Sequence, residues 1–371
     1  MSRIVMVISY PDTRLKKEAE ALAQNDVDVH VIVWERGWSF PRNDDRYDVC
    51  SFHRWNIPFG AENYRVWLFY PLWWLFIVSH LIASEYEAIH AVNFDTFVPA
   101  LIIAKCRKKK VIYDVFDFYG DMFSIPLRNI IRTVDLSLMP FADGIIIADE
   151  SRTEQIHRSL SETVIVINNS PQRNAFQRIS LPEKTTKDFT LFVGGNIMVD
   201  RGVDQLITAV QHLDNVELVV IGYSHSTKLT KKLRQMCSSM TNVSLSLGGV
   251  AHEDILGQTA IADLIVAFYD PRVTNNWYAS PNKLFEAMMY GKPILVNDGT
   301  SMAAIVREER CGCVVPFGEV KAIRETISTL RSDPKLCETL GQNGQAAFNA
   351  KYDWTIMEKR LVGFYGRILP A

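Results

Sequence analysis

The 371-residue sequence has few of the features that settle a protein's class at sight. Its six cysteines, Cys50, Cys106, Cys237, Cys311, Cys313 and Cys337, form no CxxC pair and no His/Cys cluster, which excludes a zinc framework and a disulfide scaffold. Reduced thiols in a cytoplasmic protein are the expectation. Neither sign of charge dominates: 40 Lys and Arg face 42 Asp and Glu, so the net charge of −2 speaks against a nucleic-acid surface. The start, MSRIVMVISY, has no long apolar core or small-residue cleavage site, so no signal peptide is expected. There is no short repeat, no low-complexity tract, no P-loop and no GxGxxG. The one run near membrane-span length, VWLFYPLWWLFIVSHLIA at 66–83, is interrupted by Pro71, Ser79 and His80 and lies between two strand-like segments. A span there would divide one domain across a bilayer, so it is rejected. Two readings remain open: a buried helix, or an interfacial helix whose Trp and Tyr side chains sit at the headgroup level.

What is present is alternation. Apolar residues at 48% supply ample core, and single cores rarely grow past about 250–300 residues, so two domains are expected. RIVMVISY reads as a buried parallel strand, RLKKEAEALAQN as a helix and VDVHVIVW as the next strand. The same pitch recurs through YEAIHAV, FVPALIIAKCRKK, KVIYDVFD, ADGIIIADE and TVIVINNS, implying βαβ units on a parallel sheet. Residues 170–188 turn polar and irregular, after which FTLFVGGN restarts the pattern. The expected division is an N-terminal domain over 1–172, a linker over 173–188, a C-terminal domain over 189–350 and a terminal helix over 351–371. In open α/β sheets ligands bind beyond the carboxyl ends of strands, here expected between two such halves.

Two stretches carry chemistry. In FVGGNIMVDRG, Gly194 and Gly195 leave a strand and let backbone approach a ligand, and Arg201 follows just before a helix; a guanidinium beside backbone N–H groups suits a diphosphate. In SPNKLFEAMMYGKPILVND, Ser280 fits an N-cap, Pro281 the first helical position and Gly291 the residue past the end. Lys283 then lies in the first turn, where a cation opposes the helix dipole unless an anion shares the site. Glu286, one turn deeper among apolar neighbours, can accept two hydrogen bonds from a vicinal diol. Each stretch also has a plainer reading, as a turn and as an amphipathic helix.

SPNKLFEAMMYGKPILV resembles the donor-binding motif of family 4 retaining glycosyltransferases, in the branch whose motif reads PNKLFEYMAAGKP. GNI…RG, DTRLKKEAEALAQNDVDVHVI, IHAVNFDTFVPALI, VIYDVFDFYGD and YDWTIMEKRL resemble further segments of that family in the same order, over nearly the whole chain. The resemblance implies an α/β protein of GT-B fold: two Rossmann-like doubly wound domains facing a central cleft, with the C-terminal helix crossing back to the N-terminal domain. It implies that Glu286 holds the ribose of a nucleotide sugar, and that Asn196, Arg201 and Lys283 serve the diphosphate with Gly195. Ser280, Pro281, Asn282, Leu284 and Tyr278 complete the donor wall, with Gly249 and Val250 near the base. Arg14, His90, Asn93 and Asp95 fall on the acceptor side, where His90 reads equally as a core histidine. The sequence departs from the common pattern at Tyr278, where many members carry a first glutamate, at SYPDTR, where a glycine pair is usual, and at Phe116, a histidine position.

The implied reaction moves a sugar from a nucleoside diphosphate, UDP- or GDP-linked, to a glycan or lipid-linked acceptor with retention at the anomeric carbon, in cell-surface polysaccharide assembly. Asp117, Arg201 and Lys283 are the expected catalytic set. No cofactor, metal or nucleic acid is expected. The aromatic run with KCRKKK suggests a cytoplasmic protein peripheral on the inner face of a membrane. A UDP-sugar epimerase of the same fold and a non-catalytic nucleotide-sugar-binding protein are the alternatives.

Overall fold

The computed structural model describes residues 2–10, 12–36, 51–57, 64–121, 127–173, 181–184, 186–248 and 251–369. The chain divides into two compact units: residues 1–168 with 357–371, and residues 169–356. Each is built on a parallel sheet.

In the first unit the strands are β1 (Arg3–Ile8), β2 (Asp28–Arg36), β3 (Ser51–Ile57), β4 (Ala88–Val92), β5 (Lys110–Val115), β6 (Gly144–Ile147) and β7 (Val164–Val166). They lie in the order β3-β2-β1-β4-β5-β6-β7, all neighbours parallel. The chain winds outward from β1 in one direction and from β4 in the other, so the β1/β4 boundary is the switch point. The helices are α1 (Thr13–Ala23), α2 (Tyr70–Ala83), α3 (Phe94–Arg107), α4 (Leu127–Leu138) and α5 (Arg152–Ile156). Asp12 caps α1 by accepting from the Arg14 N–H at 2.7 Å. The apolar run at 66–83 becomes a 3-10 turn over Tyr64–Phe69 leading into α2, with Pro71 at the start of the helix. Trp73, Ile77 and Leu81 enter the core, where Trp73 packs on Trp34 and Trp55, whereas Leu72, Leu75 and Ile82 face out. The buried reading thus holds for one side of the helix, and the other side is exposed. Among the described residues no helix is long and apolar enough to cross a membrane.

The second unit holds β8 (Phe189–Asn196), β9 (Val216–Tyr223), β10 (Val243–Leu247), β11 (Leu264–Ala267), β12 (Ile294–Asn297) and β13 (Gly312–Val315), in the order β10-β9-β8-β11-β12-β13. Its helices are α6 (Val203–Val210), α7 (Thr227–Cys237), α8 (His252–Ile261), α9 (Thr274–Trp277), α10 (Asn282–Met289), α11 (Ser301–Glu309), α12 (Val320–Ser332) and α13 (Pro334–Ala347). Of the segment read as a linker, 174–180 and 185 lie outside the described residues, and 181–184 with 186–188 carry no helix or strand. The described cysteines are free thiols.

The last helix, α14 (Trp354–Ile368), brings residues 357–371 to the first unit. Its Phe364 and Ile368 pack so closely on Gly144 that a Cβ there would stand 2.4 and 2.5 Å from them. Its Tyr365 hydroxyl is 2.6 Å from His90 Nδ1. Behind this contact is a sealed polar cluster. Arg14 donates to Glu18 at 2.8 Å and to Asp114 at 2.9 Å, and His90 Nε2 lies 3.3 Å from Asp114 and 3.7 Å from Glu18. One guanidinium cannot neutralise two dry carboxylates. Burial, then the Asp114 charge, pushes Glu18 up to about 7, and burial holds His90 down to about 4, so the imidazole stays neutral.

These shifts set a pH dependence. Glu18 normally titrates near 4.5, and its folded value is raised to about 7. The folded chain therefore keeps a proton that the unfolded chain releases, and the stability this gives is lost as pH rises through about 7. Glu18→Gln removes that loss. The thermal midpoint of the variant, relative to the unsubstituted protein, should rise by a few degrees between pH 5 and pH 8; a constant difference across the range would refute the shared proton.

Candidate functional site

In the second unit the site is assembled at the carboxyl end of β8, beside the switch between β8 and β11. Gly195 has φ +88°, a conformation glycine adopts without strain. Its carbonyl lies against Gly222 of β9, the residue paired with it across the ladder, where a Cβ would stand 1.8 Å from the oxygen. Two glycines on adjacent strands thus let the backbone bend outward. A Cβ on Gly195 would meet Lys283 Cε at 3.5 Å, which places the lysine directly over the turn.

Arg201 follows on a 3-10 turn, Val199–Arg201. It bonds Asp200 at 2.5 Å and Asn276 Oδ1 at 3.3 Å, and its guanidinium lies 3.8 Å from the centre of the Tyr269 ring. Asn276, itself buried, donates to Asp200 at 2.9 Å and to the Asp270 carbonyl at 3.0 Å, so α9 and the loop after β11 hold the arginine in place. Lys283 Nζ lies 6.0 Å from the same Tyr269 ring. No carboxylate pairs with it among the described residues. Burial first, then the neighbouring Arg201, pulls its ammonium down to about 8.

The helix carrying Lys283 starts one residue later than expected. Pro281, extended at φ −77° and ψ 146°, is the N-cap, so Asn282 is the first helical residue and Ser280 is no cap. The reason is that Ser280 lies outside the helix, while proline's fixed φ suits the cap as well as the first turn. The hydroxyl of Ser280 and the carboxamide oxygen of Asn282 are both shut off from water and have no hydrogen-bond partner among the described residues. Leaving such groups unpaired costs about 1–3 kcal/mol each, so a ligand that reaches them gains what the apo chain forgoes. The helix ends as expected: Gly291 at φ +63° lets its own N–H bond Met288 and that of Lys292 bond Ala287.

Glu286 is one turn into α10 and 2% exposed, with Leu284, Phe285, Ala287, Met288 and Met289 buried around it. His252 Nε2, at the start of α8, lies 3.6 Å from Glu286 Oε1. Burial, then the Glu286 carboxylate, pushes the Tyr290 phenol up to about 12. Asn196 ends β8 beside Gly195 and Tyr278 caps α9 before the helix. Gly249 and Val250 lie outside the described residues. Gly195, Asn196, Arg201, Lys283 and the α10 residues thus gather on one surface. Gly222, Tyr269 and Asn276 belong to it as well and were not singled out; His252, which closes the 249–252 stretch expected near the base, is there too. Gly222 could have been found, because VVIGY ends a strand in glycine beside a second strand that does the same.

The candidates in the first unit separate. Arg14 and His90 are 1% and 0% exposed, members of the sealed cluster rather than a wall facing solvent. The physical reason is that both pair with the buried Glu18 and Asp114, and Phe116 lies 4.3 Å from the Arg14 guanidinium. Asn93 and Asp95 are also buried: Asn93 Oδ1 accepts from the Asp117 N–H at 2.9 Å, and Asp95 accepts from the Ser9 hydroxyl. Asp117 alone among them is open, its side chain 37% exposed and 3.9 Å from Arg152. Among the described residues Glu18, His90 and Asp114 also form the one group spaced to hold a metal ion. Arg14 already bonds both carboxylates, so a further cation there would face a guanidinium.

Comparison with known proteins agrees with this geometry. Residues 174–347 match the family described as glycosyl transferases group 1. The chain is 24% identical over 217 residues to a phosphatidyl-myo-inositol mannosyltransferase of Mycobacterium leprae, covering 55% of this chain and 51% of that protein. It spans about half the length of the curated relatives it matches. Among solved structures, sucrose-phosphate synthase from Thermosynechococcus elongatus aligns with a TM-score of 0.77 at 17% identity, covering 99% of each chain. Anabaena HepE in complex with UDP and glucose aligns at 0.76 and 16% identity, over 99% of this chain and 100% of that one. These likenesses show the fold: two Rossmann-like parallel-sheet domains, as in GT-B glycosyltransferase structures.

The glycine contact gives a direct test. Gly222→Ala forces the Gly195 carbonyl out of position, and the expected cost is about 1–3 kcal/mol of stability. Urea unfolding measures it; an unchanged midpoint would mean the two strands part freely.

Proposed function

We propose that the protein is a retaining glycosyltransferase that takes a nucleoside diphosphate sugar, UDP- or GDP-linked, and passes the sugar to a hydroxyl of a glycan or lipid-linked acceptor in cell-surface polysaccharide assembly. The observation that carries the reading is the unpaired Lys283 ammonium beside Arg201 and the Gly195 turn, with Glu286 one helical turn away. A diphosphate suits the two cations, and a ribose diol suits the carboxylate. The match of residues 174–347 to group 1 glycosyltransferases and the UDP-bound relative of like fold support it.

In the proposed reaction the bond between the anomeric carbon and the β-phosphate oxygen breaks while the acceptor oxygen attacks from the same face. The acceptor proton passes to the departing phosphate. Arg201 and Lys283 stabilise the negative charge that grows on the leaving group, typically the largest single contribution to such catalysis. Arg201 is held before the substrate arrives, so little reorganisation is needed at the transition state. Asp117 orients the acceptor hydroxyl. The role of the missing first glutamate falls to neutral groups, with Tyr278 at that position. The protein is expected in the cytoplasm, peripheral on a membrane, and without need of a metal.

Two experiments test this. A thermal-shift and hydrolysis screen over UDP-, GDP-, dTDP- and ADP-sugars should find one class that stabilises the protein but not Glu286→Ala. No such ligand would sink the reading. The pH dependence is the second test. Lys283 carries its charge below about pH 8 and loses it above. Nucleoside diphosphate affinity should therefore fall as pH rises through 8, by about tenfold if one contact to the diphosphate is lost. Lys283→Arg, whose charge persists, should flatten the profile; an unaltered profile would remove Lys283 from the phosphate site.

A further inference from the structure

The outward side of the first unit has the polarity expected of an inward side. On α4 the apolar residues Leu127, Ile130 and Val134 recur at helical spacing and are exposed, Ile130 by 61%. The side chain that α4 buries is Asp135, which accepts from the Tyr113 hydroxyl at 3.1 Å. Burial pushes this carboxyl up to about 7. An amphipathic helix ordinarily turns its apolar stripe to the core and its charges to water; α4 sends Leu136 and Leu138 inward beside Asp135 and still carries a second apolar row on its outer side. Its two arginines do not restore a charged outer face, because Arg128 and Arg132 both fold onto the buried Asp121.

The same feature continues on the neighbouring helices. Tyr113 of β5 stacks on Phe97 of α3 at 4.0 Å while its hydroxyl reaches Asp135 of α4, so α3 and α4 cover the same side of the sheet. Next to α3, α2 packs on that same core. On its outward side Leu72, Leu75 and Ile82 are exposed, and Leu68 precedes them on the 3-10 turn at 73%. Between them α3 presents Ile102. Scattered apolar residues on a surface are ordinary, but rows at helical spacing on adjacent helices mark a surface that something covers.

Charge identifies the covering. Arg107 at the end of α3 donates to the carbonyls of Leu81 and Ser84, which brings the end of α3 against the end of α2. The chain then runs through Lys108, Lys109 and Lys110. Lys105 and Lys110 share one carboxylate, Asp143, and the side chains of Lys108 and Lys109 have no ion-pair partner among the described residues. A second copy of this chain would bring the same lysines against its own apolar face, whereas an anionic bilayer offers both acyl chains and negative headgroups.

We propose that the α2–α3–α4 face of the first unit is the surface by which the protein lies on an anionic membrane, with the apolar rows entering the headgroup boundary and the lysine run contacting acidic lipid. The face belongs to the first unit alone, so the proposal stands apart from the nucleotide chemistry of the second.

The test is co-sedimentation of the full chain with vesicles of equimolar phosphatidylglycerol and phosphatidylcholine, against vesicles of phosphatidylcholine alone. The protein should pellet with the acidic vesicles and much less with the neutral ones, and binding should weaken as salt rises. Leu72→Glu with Leu75→Glu, and separately Ile130→Glu with Val134→Glu, should each reduce binding about tenfold or more, as expected when two aliphatic side chains leave the acyl boundary. Lys108→Glu with Lys109→Glu should remove the preference for acidic lipid. Thermal midpoint and nucleotide-sugar stabilisation, read on every variant, should be unchanged, so loss of vesicle binding is separated from misfolding and from failure of the donor site. Protein that stays in the supernatant with both vesicles overturns the proposal. So does undiminished pelleting of both apolar variants, or light scattering that shows a dimer which these variants dissociate.

Discussion

An ammonium group that forms no ion pair with a carboxylate among the described residues is the constraint around which the second unit is arranged. Lys283 stands over a backbone turn, faces a guanidinium and is largely withdrawn from water. Burial and the guanidinium both make its proton easier to lose, and Glu286 offsets them only in part, which leaves a site suited to an anion. The surroundings make the arrangement tolerable. Asp200 and Asn276 neutralise and fix Arg201, the Tyr269 ring lies against both cations, and Gly195 with Gly222 keeps side chains out of the space between. Folding energy from the surrounding core sustains a local arrangement that is unfavourable until an anion arrives.

The first unit handles charge in the opposite way. Arg14, Glu18, Asp114, His90 and Tyr365 pair with one another inside the core, and none faces solvent. Buried ion pairs of this kind contribute little net stability, but removing one partner leaves an unpaired buried charge, at a cost of about 3–5 kcal/mol. The cluster ties four elements together, since β4, β5, α1 and α14 each supply a group. Openness is left to Asp117, one residue beyond Phe116, whose ring closes the cluster.

Much of this was legible in the sequence, for identifiable reasons. The strands were, because both faces of a parallel sheet are buried and RIVMVI or VELVVI can hardly be anything else. The α10 residues were, because a lysine in the first turn and a glutamate among Leu, Phe and Met conflict with the helix unless a ligand is present. Arg14 and His90 were harder. A charged residue near a strand end looks the same in sequence whether its partners lie in a core or in a ligand, and Arg14 and Asp114 are 100 residues apart. The helices α7, α11 and α13 passed unread, since their polar faces dilute the apolar period. The exposed apolar row of α4 could not be seen, because LRNIIRTVDLSL has apolar residues on more than one side and periodicity does not say which side is in.

The route of the last helix has a consequence for the order in which the protein forms. The first unit counts residues 357–371 among its own, with Tyr365 bonded to His90 and Phe364 against Gly144. A nascent chain therefore has all the strands of its first sheet, and the whole of its second unit, outside the ribosome before the first core can close. Until then His90 lacks the tyrosine hydroxyl, and Gly144 fronts an unfilled space. The N-terminal unit is begun first and completed last, so the second unit must fold beside a partner that is still open.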